Sequence, residues 1–107
     1  MEPEQENYSI SLSEFKAKEY ILSGPEEIED IENEHYEIVK KSNTSCPKLP
    51  FGCRQEDWEK FKSMVRENDE VVHFSSPPEH WAALYGRAGY AIIRGDKVVD
   101  VFIILVN

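Results

Sequence analysis

Cysteine, glycine and basic residues are all scarce in this chain: two, five and twelve among 107 residues. Two cysteines cannot staple a small disulfide scaffold, so the fold must rest on one hydrophobic core, which 107 residues suffice to build. Cys46 and Cys53 enclose six residues in CPKLPFGC. That is wider than the usual pairing of zinc ligands, and no second pair exists, so neither a metal nor a cofactor is expected. His35, His73 and His80 show no spacing that asks for one. Apolar runs are short too. The longest, Val101–Val106, has six residues, far below the roughly 20 that cross a bilayer. MEPEQENYSISL is acidic and polar where a secretory signal would be basic and then apolar. The expectation is therefore a cytoplasmic protein with reduced thiols.

The shortage of bases has its own consequence. Twenty-one acids against twelve bases leave a net charge of −9, which repels nucleic-acid backbones and anionic membranes and favours a basic protein as partner. The excess is uneven. Residues 1–41 hold twelve acids and four bases, and residues 42–107 hold nine and eight. Glu26, Glu27, Glu29, Asp30, Glu32 and Glu34 form the densest part and are the candidate partner-binding residues. Solvation of an ordinary helix face accounts for the same residues without any partner.

The chain reads as a single domain, with residues 1–9 as a frayed tail, 10–41 as an acidic forepart and 54–107 as a sheet and helix core. Ser11 and Glu14 have capping-box spacing, and Leu12, Phe15 and Leu22 suit one helical face, although Tyr20–Leu22 equally suits a strand. Ser23-Gly24-Pro25-Glu26 marks a short helix carrying Ile28 and Ile31 inward. Alternation over 35–41 predicts a strand. Residues 42–53 are a loop. Trp58, Phe61, Met64 and Val65 recur at helical spacing, with a stop at Asn68. Val71–Ser75 is a strand, Ser76-Pro77-Pro78-Glu79 opens a short helix with a second capping box, and Gly95-Asp96 joins strands Tyr90–Arg94 and Lys97–Val106 in a hairpin. The fold class is α+β: a mostly antiparallel sheet of about four strands, with helices packed mainly on one face.

In the last strand, alternation points Val99, Val101, Ile103 and Leu105 one way and Val98, Phe102, Ile104 and Val106 the other. Both faces are apolar and need cover, the second from the N-terminal segment or from a second copy, as a homodimer through the Lys97–Val106 strand. Arg87, between Gly86 and Gly89, is a candidate grip for a carboxylate or phosphate, or an anchor for a nearby backbone or acidic group. Glu79-His80 is a candidate acid–base pair, and Arg94-Gly95-Asp96 is read as the hairpin turn.

Two resemblances bear on this reading. The blocks CPKLPFG, DEVVHFSSPPEHW and GRAGYAIIRGDKVVD, ending in Asn107, are similar to a small family of bacterial proteins of no established activity. That likeness implies a bacterial module from about Cys46 to Asn107 and brings no catalytic residue. A cysteine at the start of the Trp58 helix, followed by antiparallel strands, more loosely resembles papain-like peptidases of the NlpC type. Asn68–Val72 looks like their first strand and Gly89–Ile93 like their second. The resemblance implies a thiol hydrolase with Cys53 as nucleophile. The family's histidine falls near Arg87, however, and arginine cannot take a thiol proton, so His73 or His80 would have to act as base. The leading expectation is an inhibitor or immunity-type protein with a basic partner. The thiol hydrolase, or a degenerate papain-like domain, is the alternative.

Overall fold

A computed structural model describes residues 10–106; the expected tail at 1–9 lies outside them. The elements run β1 (Ile10–Ser11), α1 (Leu12–Ala17), β2 (Ile21–Ser23), α2 (Ile28–Val39), a 3-10 turn (Gly52–Arg54), α3 (Gln55–Ser63), β3 (Glu70–Ser75), α4 (Pro78–Ala82), β4 (Arg87–Arg94) and β5 (Lys97–Val106). The five strands form one antiparallel sheet in the order β1-β5-β4-β3-β2, so the fold is α+β.

Each face of the sheet carries its own core. On one, Ile31 of α2 with Trp58 and Phe61 of α3 pack on Val71, Tyr90, Ile92, Val99 and Phe102. On the other, Phe15 of α1, Tyr20 and Leu22 cover Val72, Phe74, Ala91, Ile93 and Val98. The N-terminal segment thus supplies cover for the second face, through a cluster of Phe15, Tyr20 and Phe74 rings 4.8–5.3 Å apart. Ser11 does cap α1: its hydroxyl accepts from the Glu14 amide at 3.0 Å, and the Glu14 carboxylate accepts from the Ser11 amide at 3.2 Å.

Four local expectations need correcting. The strand predicted at 35–41 is the second half of α2. The helical set Ile28, Ile31 and His35 faces the sheet, and the alternating Tyr36 and Ile38 that suggested a strand are exposed. That helix begins at Ile28 behind Glu27, beyond the Ser23-Gly24-Pro25 signal, because Ser23 is held in β2 opposite His73. Glu79 does not complete a second capping box: the Ser76 hydroxyl accepts from the Arg87 amide at 2.8 Å, and Pro77 occupies the cap position. Finally, the alternation along β5 is broken by two register shifts against β4, between Ala88 and Gly89 and between Ile92 and Ile93. Such bulges place two residues opposite one and reset which face follows. Val99, Phe102 and Ile104 therefore share the α2–α3 face, while Val98, Val101 and Ile103 share the other.

The hairpin forms as expected, with Gly95 at φ +63 supplying the left-handed first turn position. At Gly89 the β5 backbone lies so close that a Cβ would fall on the Phe102 carbonyl oxygen and 2.9 Å from Ile103 Cα.

Candidate interaction surface

Where the end of α2 meets the cysteine loop and the end of β5, the surface folds into an open groove of about 530 Å³. His35, Ile38 and Val39 line it from α2; Thr44, Cys46 and Pro50–Arg54 line it from the loop; Ile104 and Leu105 come from β5. The walls are predominantly apolar and partly unburied: Ile38 is 60 % and Leu105 58 % exposed.

The loop is held by two devices. Cys46 and Cys53 are joined by a disulfide. Phe51, six residues into the loop from Cys46's neighbour Ser45, lies 4.5 Å from both the Trp58 and the His35 rings and 4.9 Å from Phe102. His35 is fixed beneath by a 3.0 Å hydrogen bond between Nε2 and the Tyr90 hydroxyl. Burial lowers the His35 pKa against the opposing pull of Glu34, and burial with the nearby Glu26 and Glu34 charges raises that of Tyr90. Both groups are neutral near pH 7 and act as structure. Arg54, on the far wall, is committed as well: its guanidinium donates to the Ile103 carbonyl, lies 4.5 Å over the Phe102 ring and reaches Asp57 at 4.0 Å.

Beside the groove runs the acidic helix. Glu27, Asp30, Glu34 and Glu37 recur along one outward strip, with Glu29 on its flank, and all five are exposed. Lys40 pairs with Glu37 at 3.1 Å; among the described residues no cation pairs with Glu27, Glu29, Asp30 or Glu34. Glu26, only partly exposed, ties its amide to the Val71 carbonyl at 2.8 Å. Glu32 departs from the group. Its carboxylate accepts from Trp58 Nε1 at 2.7 Å and from Lys62 at 2.8 Å. Burial alone would raise its pKa, but the Lys62 and Trp58 hydrogen bonds outweigh that and hold it below the usual carboxylate range. Glu32 fastens α2 to α3.

The residues of the thiol-hydrolase reading are not assembled. The expectation of reduced thiols is corrected by the disulfide, which leaves Cys53 no thiolate to attack with. The histidine that shares its groove is His35. His73 lies on β3 with its ring 5.5 Å from Tyr90, and His80 lies on α4 beside Tyr85, 3.6 Å from Glu19. Arg87 opens β4 with an exposed side chain, and its amide and carbonyl are both bonded to Ser76. Arg94 of the Arg-Gly-Asp tripeptide is drawn inward, donating to Asp69 through Nε at 3.0 Å and Nη2 at 2.9 Å. The tripeptide is a turn whose arginine is already spent on the fold.

No protein-family model, no curated protein and no solved structure matches the chain. Among the described residues no helix is long and apolar enough to cross a membrane. The groove was not foreseen from the sequence. His35 and Ile38 lay inside the segment read as a strand, and only the spacing Ile28, Ile31, His35 signalled a helix there.

Proposed function

We propose that the protein acts by binding a basic protein, as an inhibitor or immunity-type protein would, with the outer strip of α2 as the contact. One observation carries the reading: Glu29, Asp30 and Glu34 of α2 and Glu27 at its cap are exposed, and no cation among the described residues pairs with them. Unshielded carboxylates at neighbouring helical positions repel one another and cost some helix stability, and a cationic surface removes that cost while speeding encounter. Glu32 drops out of the contact set because its charge is neutralised internally, and Glu37, already sharing Lys40, is a weaker member. The Cys46–Cys53 disulfide supports a setting for this binding in which thiols are oxidised, in place of the expected reducing cytoplasm.

The test is capture from a lysate on immobilised protein at about 0.1 M and about 1 M salt, where the Debye length falls from roughly 10 Å to roughly 3 Å. A basic protein retained only at the lower salt, and lost from the Glu27→Lys/Asp30→Lys/Glu34→Lys variant, is the expected result. Capture that survives the triple reversal would show that this helix face is not the contact.

A further inference from the structure

The groove beside α2 holds a second half of that contact, and the inference rests on the acidic-face reading above. We infer that the groove seats an apolar side chain of the basic partner, and that a lysine or arginine next to it in the partner's chain reaches Glu34 and Glu37 on the rim. The placement is set by the helix. Glu34 precedes Ile38 by four residues and so lies one turn away on the same line, while Glu37 adjoins it; side chains at this spacing are surface neighbours about 5–6 Å apart at Cβ. One contiguous patch therefore offers an apolar cleft with Glu34 as the main carboxylate and Glu37, shared with Lys40, as the second.

Charge decides among occupants. A second copy would bring an identical acidic strip against this one, on a chain of net charge −9, and like charges across an interface are disfavoured. An apolar anion meets the same obstacle, and the cations near the groove are engaged: Arg54 with Ile103, Phe102 and Asp57, Lys48 with the Val39 and Ser42 carbonyls, and Lys40 with Glu37. An apolar side chain flanked by positive charge satisfies both walls. At about 530 Å³ the groove falls within the range of roughly 300–1,000 Å³ typical of ligand clefts. It also has the form expected of an interface anchor, an apolar pocket edged by charge. The lining is already organised, because the disulfide and the Phe51 ring against Trp58 and His35 hold the loop wall in place, which lowers the ordering cost on binding.

The probes are three short synthetic peptides: a tryptophan-leucine pair flanked by lysines, the same peptide with glycine replacing both apolar residues, and the same apolar pair flanked by glutamates. Each is titrated into isotope-labelled protein while amide shifts are followed. The expected result is saturable shifts at Ile38, Gly52 and Leu105 with the lysine-flanked apolar peptide, and binding at least tenfold weaker for each of the other two. Ile38→Ser and Leu105→Ser, at exposed positions that leave the core intact, should each weaken the first peptide several-fold. If the glycine version binds as tightly and shifts only Glu27–Glu34, the acidic face stands and the groove anchor is overturned. If the glutamate-flanked peptide binds equally, the groove is an apolar site without charge selection and the inference also fails. Groove shifts that appear on concentrating the protein alone would assign the site to a second copy and overturn it too.

Discussion

Replacing Asp69 should unlatch the hairpin end of the sheet from the end of α3. The Asp69 side chain is 2 % exposed and accepts three hydrogen bonds: from Arg94 Nε at 3.0 Å, from Arg94 Nη2 at 2.9 Å and from the Arg66 amide at 2.8 Å. Arg94 Nη2 also donates to the Met64 carbonyl at 3.0 Å, so one arginine at the end of β4 gathers the C-terminus of α3 and the turn leading into β3. Asp69→Ala removes both carboxylate oxygens and the three hydrogen bonds they accept. Breaking a fully buried pair costs about 3–5 kcal/mol, but the Arg94 side chain is 26 % exposed and can recover some hydration, which brings the expected loss to about 2–4 kcal/mol. For a domain of this size that is a fall in Tm of roughly 10–25 °C. Urea unfolding followed by the fluorescence of the buried Trp58 is the assay. The pH dependence sharpens it. Burial alone would raise the Asp69 pKa, yet the Arg94 hydrogen bonds outweigh burial and leave it lowered. Its contribution is therefore present above the unfolded value of about 3.9 and disappears as pH falls through the lower folded value. Asp69→Asn should lower stability at neutral pH and flatten that part of the acid limb. A loss below about 1 kcal/mol for Asp69→Ala at pH 7, with an unchanged denaturant slope, would refute the latch.

Two further outcomes follow from the packing. Gly89→Ala should cost at least about 1–3 kcal/mol by overpacking, because the added methyl meets rigid β5 backbone at Phe102 and Ile103; calorimetry showing a Tm within a degree of the parent would contradict the close approach. Cys46→Ser with Cys53→Ser should cost about 2–3 kcal/mol, the chain-entropy value for so short a loop, while leaving the far-UV circular dichroism unchanged, since the loop contributes no strand to the sheet. Loss of sheet signal in that double variant would mean the loop does more than wall the groove.

Legibility in the sequence tracked how local each cause was. The Ser11 cap, the Gly95-Asp96 hairpin and the Trp58 helix are specified by residues within a few positions of one another, and all three are present in the structure. The second half of α2 misled because Tyr36 and Ile38 are apolar and exposed. Their alternation with charge imitates a strand, and only contact with β4 and α3 gives Ile31, Glu32 and His35 the deciding weight. The two faces of β5 could not be sorted by counting in twos, because its bulges are set by pairing with β4 and in part by Gly89, which lies in the other strand. The disulfide escaped a reading that placed the thiols in a reducing cytoplasm. The groove escaped for a broader reason: it joins residues near positions 35, 50 and 104, and no local pattern announces a meeting of that range.

The acidic helix shows why charge counted along a chain is a poor guide to charge available at a surface. Six carboxylates between Glu26 and Glu34 read alike, yet Glu32 is withdrawn by geometry alone. It lies on the flank of α2 turned toward α3, where Trp58 and Lys62 meet it, while Asp30 on the other side of the buried Ile31 is exposed. Position on the helical circumference, more than position in the sequence, sorts such residues into structural and free. The sorting has a measurable consequence. Glu32→Gln keeps the shape and both partners' geometry but leaves the Lys62 ammonium, which also touches Glu59 at 3.3 Å, without its closest charge, and its effect belongs to folding. Glu34→Gln, two residues on, removes a carboxylate that no cation of the described residues holds; under the proposed contact it weakens capture of a basic partner and leaves the unfolding midpoint unchanged.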